Sequence, residues 1–258
     1  MTRLVLVAVT LVLGLVAGCA DPPRGLPSTD PADEQPPVAR STALEVRAGD
    51  TWDSISSRIY GDGRYAERIA RDNGRAPDST PVPGERVRID VRSEDLELVR
   101  AVASARGSYN AGVEAMQQRG RGVEAREAFE RALDRAPHYV DARYNLGLVL
   151  IRLGEPRAAA EELRRVVDER PDDPDALYGL AAAYVHGGDD ARALGPLERA
   201  LAFDPEFLRA RWTYALALER AGRIDEAAAA WEAYLERDAT SALADEAREH
   251  LRSLRPGR

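Results

Sequence analysis

Three histidines, His138, His186 and His250, are the side chains best suited to acid–base or metal chemistry, and they stand far apart in the sequence. None opens a spacing such as HExxH, in which two histidines must share one helix face to reach one ion. The only thiol is Cys19. No GxSxG elbow occurs, and no GxxxxGK followed by Ser or Thr, so neither a serine nucleophile nor a phosphate loop is written here. The many carboxylates fall at helix spacing beside arginines, as in EAREAFERALDRAP, where they read as i to i+4 pairs on solvated faces. The reading is therefore of a non-enzyme with no catalytic residue, no metal site and no cofactor.

Elements that bind rather than react must account for the 258 residues, a length that suits one or two domains plus extensions. Every one of the 36 basic residues is arginine, yet the formal charge is -8. That balance excludes a general nucleic-acid binder, which needs a basic face to replace the counterions of phosphates. Ala and Leu abound, whereas only three Phe and three Trp occur, a composition of closely packed helices. One Cys permits no intramolecular disulfide.

Arg3 is followed by the uncharged run Leu4 to Val16 and then by Ala17 and Gly18, the order of a secretory signal. The run is short for a bilayer span, which needs roughly 20 apolar residues. Val16-Ala17-Gly18-Cys19 resembles the lipobox of bacterial lipoproteins, which implies cleavage after residue 18 and a lipid anchor on Cys19. Ala20 stands where Asp would resemble an inner-membrane retention signal, so the resemblance implies an outer-membrane protein of a Gram-negative envelope facing the periplasm. Residues 19–43, with prolines 22, 23, 27, 31, 36 and 37, read as a tether; the twenty-four residues after Cys19, as polyproline-like chain, reach roughly 70 Å.

Residues 44–91 change character. Leu44, Val46 and Ala48 alternate with polar neighbours, the period of a half-buried strand. Asp50 or Thr51 then caps a helix that carries Trp52, Ile55 and Ile59 on one stripe. Tyr65, Ala66, Ile69 and Ala70 make a second short helix, ending near Asn73-Gly74, and Val87 and Ile89 alternate in a closing strand. The order βααβ and the residues Val46-x-x-Gly49-Asp50-Thr51, Ile55, Tyr60-Gly61, Ile69, Asn73 and Pro83-Gly84-x-x-Val87-x-Ile89 resemble the LysM family. LysM domains bind N-acetylglucosamine chains, so the resemblance implies peptidoglycan as a partner, held by Gly49, Asp50, Thr51, Trp52, Asn73, Pro81 and Val82. Trp52 reads equally as core or as a sugar platform, Asp50 also as a helix cap and Asn73 as a helix C-cap. The YGDGRY stretch resembles a LysM subgroup of multi-domain assembly proteins.

From residue 92 to 241 the chain repeats with a period of 34. Gly120, Gly154, Gly188 and Gly222 keep this step, as do Ala125, Ala159, Ala193 and Ala227, and Phe129, Leu163, Leu197 and Trp231. Pro137, Pro171 and Pro205 follow the same rule. These positions resemble the tetratricopeptide repeat (TPR), which implies an all-α solenoid of four helical hairpins, the first helix starting early, closed by a capping helix within residues 242–258. Leu243, Ala247, Leu251 and Leu254 are expected on the buried side of that cap. By the family's pattern the inner face presents Asn110, Tyr144, Tyr178 and Trp212 at one helical position, and Leu148 and Leu216 at the next. Arg152, His186 and Arg220 follow at a third, with Asn145 beside them. The implied partner is a protein or peptide with apolar and acidic residues, although aromatics at helical spacing also pack between neighbouring repeats.

The expectation is an α+β LysM module followed by an all-α TPR solenoid, on an outer-membrane lipoprotein that joins peptidoglycan to a protein partner without chemistry of its own. One alternative is an assembly factor for a pilus, secretion system or pole, in which the module makes protein contacts. Another is a murein hydrolase or its direct activator.

Overall fold

The computed structural model describes residues 37–255. Strand β1 (Val38–Glu45) pairs antiparallel with β2 (Arg86–Arg92), Thr42 opposite Ile89 and Leu44 opposite Val87. Between them lie helices α1 (Trp52–Tyr60) and α2 (Ala66–Asp72). Thr51 is the residue that caps α1: its hydroxyl accepts from the Ser54 N–H while the Ser54 hydroxyl accepts from the Thr51 N–H, so two donors without helical partners are satisfied reciprocally. Gly61 stops the helix in the left-handed region at φ 72°, which a side chain would disfavour. Trp52, Ile55, Tyr60, Ile69, Val87, Ile89 and Val91 form the core of this module.

Strand β1 begins at Val38, six residues before the alternation marks it. Its first six residues are exposed on both faces, so no apolar pattern announces them. Polar bonds hold them instead, from the Ser41 hydroxyl to Asp90 at 2.6 Å and from the Ser93 N–H to the Pro37 carbonyl at 3.0 Å. The segment read as tether up to residue 43 therefore ends in a strand.

Helix α3 (Leu96–Gln117) runs on from the module, the early start expected of the first helix, and pairs with α4 (Gly122–Arg135). The next hairpins are α5 (Val140–Arg152) with α6 (Pro156–Glu169), α7 (Pro174–His186) with α8 (Asp190–Phe203), and α9 (Leu208–Arg220) with α10 (Ile224–Leu235). Gly120, Gly154, Gly188 and Gly222 all turn the chain with φ between 75° and 86°. Each second helix packs on the first helices before and after it, and α3, α5, α7 and α9 also touch in succession. That succession puts the first helices on the inner side of the stack. Phe129, Leu163, Leu197 and Trp231 are completely buried between the layers.

Helix α11 (Ala242–Leu254) closes the stack. Ala244 and Ala247 are its buried residues, Leu251 and Leu254 are half-buried, and Leu243 is 50% exposed. Leu243 therefore faces solvent, contrary to the stripe read from sequence: Ala244 takes the place against α10. The His250 ring stacks on Trp231 at 4.8 Å, and Glu219 accepts from the Trp231 indole N–H at 3.1 Å.

Candidate functional site

A strict step of 34 puts Asn110 in line with Tyr144, Tyr178 and Trp212, but the structure puts Tyr109 there. Helix α3 ends at Gln117, and Gln118 is extended (φ -96°, ψ 133°), whereas the residues after α5, α7 and α9, Leu153, Gly187 and Ala221, are still helical. Every inner residue of α3 thus sits one place earlier than the period demands. The glycines prove the shift by close approach. A Cβ on Gly112 would come within 2.7 Å of the Phe129 ring, just as a Cβ on Gly147 would come within 2.5 Å of Leu163. Asn110 is exposed beside the row. By the same shift Val113 joins Leu148, Ala182 and Leu216.

The aromatic row packs between repeats rather than standing open. Tyr109 stacks on Tyr139 at 4.8 Å and its hydroxyl accepts from the Asn145 side chain at 3.2 Å, which occupies Asn145. Burial pushes the Tyr109 phenol up to about 12 and the Tyr144 phenol equally to about 12. The Tyr144 ring lies against Gly179, within 3.3 Å of where a Cβ would stand. Tyr178 leans on Phe207 at 5.1 Å, and the Arg209 guanidinium, 3.7 Å from Asp175, covers it at 5.4 Å. Trp212 meets the edges of Trp231 and Tyr234.

The unfilled apolar surface is the next row. Val113, Leu148, Ala182 and Leu216, one from each inner helix, are all half-buried. Beside them Arg152, His186 and Arg220 are exposed. Arg152 donates to the Met116 carbonyl at 2.7 Å, and Arg220 stands 3.9 Å from Asp190. An apolar floor with a cationic rim is suited to an extended chain that carries apolar and acidic residues.

The module's candidate residues divide differently. The Val46 N–H donates to the Glu85 carbonyl and the Gly84 N–H to the Val46 carbonyl, each at 2.8 Å, so the two loops named for sugar binding do lie side by side. Trp52, however, is 3% exposed, with its indole N–H directed at the Ser79 hydroxyl 3.3 Å away. It is core and offers no platform. Asp50 accepts from the Arg47 N–H at 2.8 Å and pairs with Arg58 at 2.9 Å; although desolvation works the other way, these donors hold its carboxyl below the usual value. Thr51 is spent as the cap. The Asn73 side chain donates to the carbonyls of Ile69 and Arg88 at 2.8 and 2.7 Å and accepts from the Arg88 N–H at 2.7 Å, so it ties α2 to β2 rather than ending a helix alone. Pro81 is buried. Gly49 and Val82, the latter 52% exposed, remain open.

Cys19 lies outside the described residues. Among the described residues no helix is long and apolar enough to cross a membrane, and no three or more His, Cys, Asp or Glu side chains gather as a metal would require.

Family models of the tetratricopeptide repeat match residues 116–183 and 150–195, and a second such model matches residues 197–242. The C-terminal hairpins are tetratricopeptide repeats. Solved repeat proteins share the fold. MamA from residue 41 onward, of Desulfovibrio magneticus RS-1, is 20% identical with a TM-score of 0.52, over 58% of this chain and 92% of that one. YrrB, described as "a TPR protein with an unusual peptide-binding site", is 24% identical with a TM-score of 0.51, over 60% of this chain and 79% of that one. A tetratricopeptide repeat protein of Parabacteroides merdae ATCC 43184 is 20% identical with a TM-score of 0.52, over 60% of each chain. No curated protein matches the sequence.

Proposed function

We propose that the TPR solenoid is a scaffold that holds a protein partner in extended form along its inner face, on a non-catalytic envelope lipoprotein. The observation that carries this reading is the row Val113, Leu148, Ala182 and Leu216, apolar, half-buried and continuous across four repeats, with Arg152, His186 and Arg220 at its side. In the same reading Cys19 bears the lipid, the protein faces the periplasm from the outer membrane, and the βααβ module is a LysM domain turned toward peptidoglycan through Gly49 and Val82. The groove is tested by placing a photo-crosslinking phenylalanine at Ala182 in living cells. A discrete adduct is expected, reduced at least about tenfold by Leu148→Arg with Leu216→Arg, since burying an unpaired charge opposes docking, while the helical circular dichroism stays unchanged. An adduct that survives the double variant places binding elsewhere.

A second reading has an observation in its favour. Asp50, Thr51, Trp52 and Asn73 are all occupied inside the module, and its YGDGRY loop rests on the repeats, so the module serves protein contact in an assembly factor. Sedimentation with purified sacculi separates the two: co-sedimentation reduced by Val82→Asp supports the glycan reading, and none at all supports the assembly factor.

A further inference from the structure

The module and the repeats meet at a buried ionic joint. Asp62, on the loop between α1 and α2, is 1% exposed, and Arg170, at the end of α6 and 108 residues away, donates to it at 2.9 Å. The same guanidinium binds Asp141 at the start of α5 and comes within 3.8 Å of Asp173, which caps α7. Around this triad the Asp141 N–H donates to the Gly61 carbonyl at 3.2 Å and Arg106 donates to the Arg58 carbonyl at 2.6 Å. The Tyr139 ring lies so near Gly61 that a Cβ there would stand 2.6 Å from it. Arg64 adds a pair with Glu169 at 3.0 Å. Apart from this contact, the two regions are joined through α3, whose Leu96, Leu98 and Val99 pack on the module core.

We propose that Arg170 is a latch that joins the module and the repeats into one cooperative body and sets the angle between the module's open edge and the inner face of the solenoid. Two carboxylates, one from each region, are drawn out of water toward one guanidinium; Asp62 pairs as well with Arg64, whose side chain is 47% exposed. Burial raises the Asp141 carboxyl, against the pull of Arg170. Removing the guanidinium leaves Asp141 without its cation and Asp62 with only the half-exposed Arg64, and the least disruptive way to hydrate the two acids is for the module to lift away, hinging at α3. The latch stands whether the module meets glycan or protein, because it depends only on the joint.

Native-state hydrogen exchange on the full chain tests it. In the wild type, amides of α1, α2 and β2 should exchange no faster than those of α4 and α6. In Arg170→Met the module amides should exchange about 100-fold faster while α8 to α10 change less than about threefold, the signature of a sub-global opening. Uniform acceleration along the chain would make Arg170 a general stabilising residue and overturn the latch, as would unchanged module protection. Should Arg170→Met fail to fold, Arg106→Met removes one neighbouring bond and should speed the module alone by about tenfold; no selective effect there overturns the proposal equally.

Discussion

Asn73 and Phe129 hold their regions in opposite ways. Asn73 has three polar bonds that stitch a helix end to a strand within a module of about fifty residues, whose apolar core is small. Phe129 makes no polar bond; it fills the space that Gly112 leaves by having no side chain, and the same fit of large against small recurs at Leu163 and Gly147. The repeats are therefore specified by shape, renewed every 34 residues, and the module by a few directional bonds that occur once each. A small domain buries a lower share of its surface than a large one, so each polar clamp carries more of its order.

This contrast is open to three tests. The largest effect should come from Phe129→Ala, which empties a fully enclosed site and should lower the unfolding free energy by about 3–5 kcal/mol in denaturant titration. Asn110→Ala, one helical position from Tyr109, should stay within about 0.5 kcal/mol. Comparable losses at both would break the register assigned to α3. Next, Asn73→Ala leaves the Arg88 N–H and carbonyl without their side-chain partner and should remove about 2 kcal/mol. Exchange should accelerate first in β2; a loss confined to the repeats would dissolve the distinction between regions. The smallest loss among the fastening residues belongs to Asp50→Asn. The folded carboxyl lies below its unfolded value, so the stability it contributes is complete above about pH 4 and is lost as pH falls through the folded value. At pH 7 the variant should be less stable by about 0.5–1 kcal/mol, and thermal melts should show that gap closing toward pH 2. A gap that widens on acidification would reverse the sign of this account.

The helical hairpins were legible because the physical demand recurs: small residues where helices cross, glycine with positive φ at each turn, large residues between layers. The first hairpin departs by one residue because Gln118 leaves the helix early, and only its Gly112, one place before the expected small residue, carries a signal of this. The strands of the module were legible where one face is apolar. Residues 38–43 were not, since polar bonds alone hold them. Of the seven residues assigned to sugar, Asp50, Thr51, Trp52 and Asn73 prove to be internal fastenings and Pro81 is buried. A polar or aromatic residue in a loop reads the same whether its partner is a ligand or its own backbone. Tyr109 and Val113 complete the inner rows, each one place before the position that the period of 34 points to.

Sequence by itself determined the number of hairpins and the order of the βααβ module, because period and alternation are properties of neighbours along the chain. Tertiary structure alone decided which residues remain open on the inner face and how the module meets the repeats. Asp62 and Arg170 are 108 residues apart, and a bond between two such groups depends on where the intervening helices bring them, which no local pattern encodes.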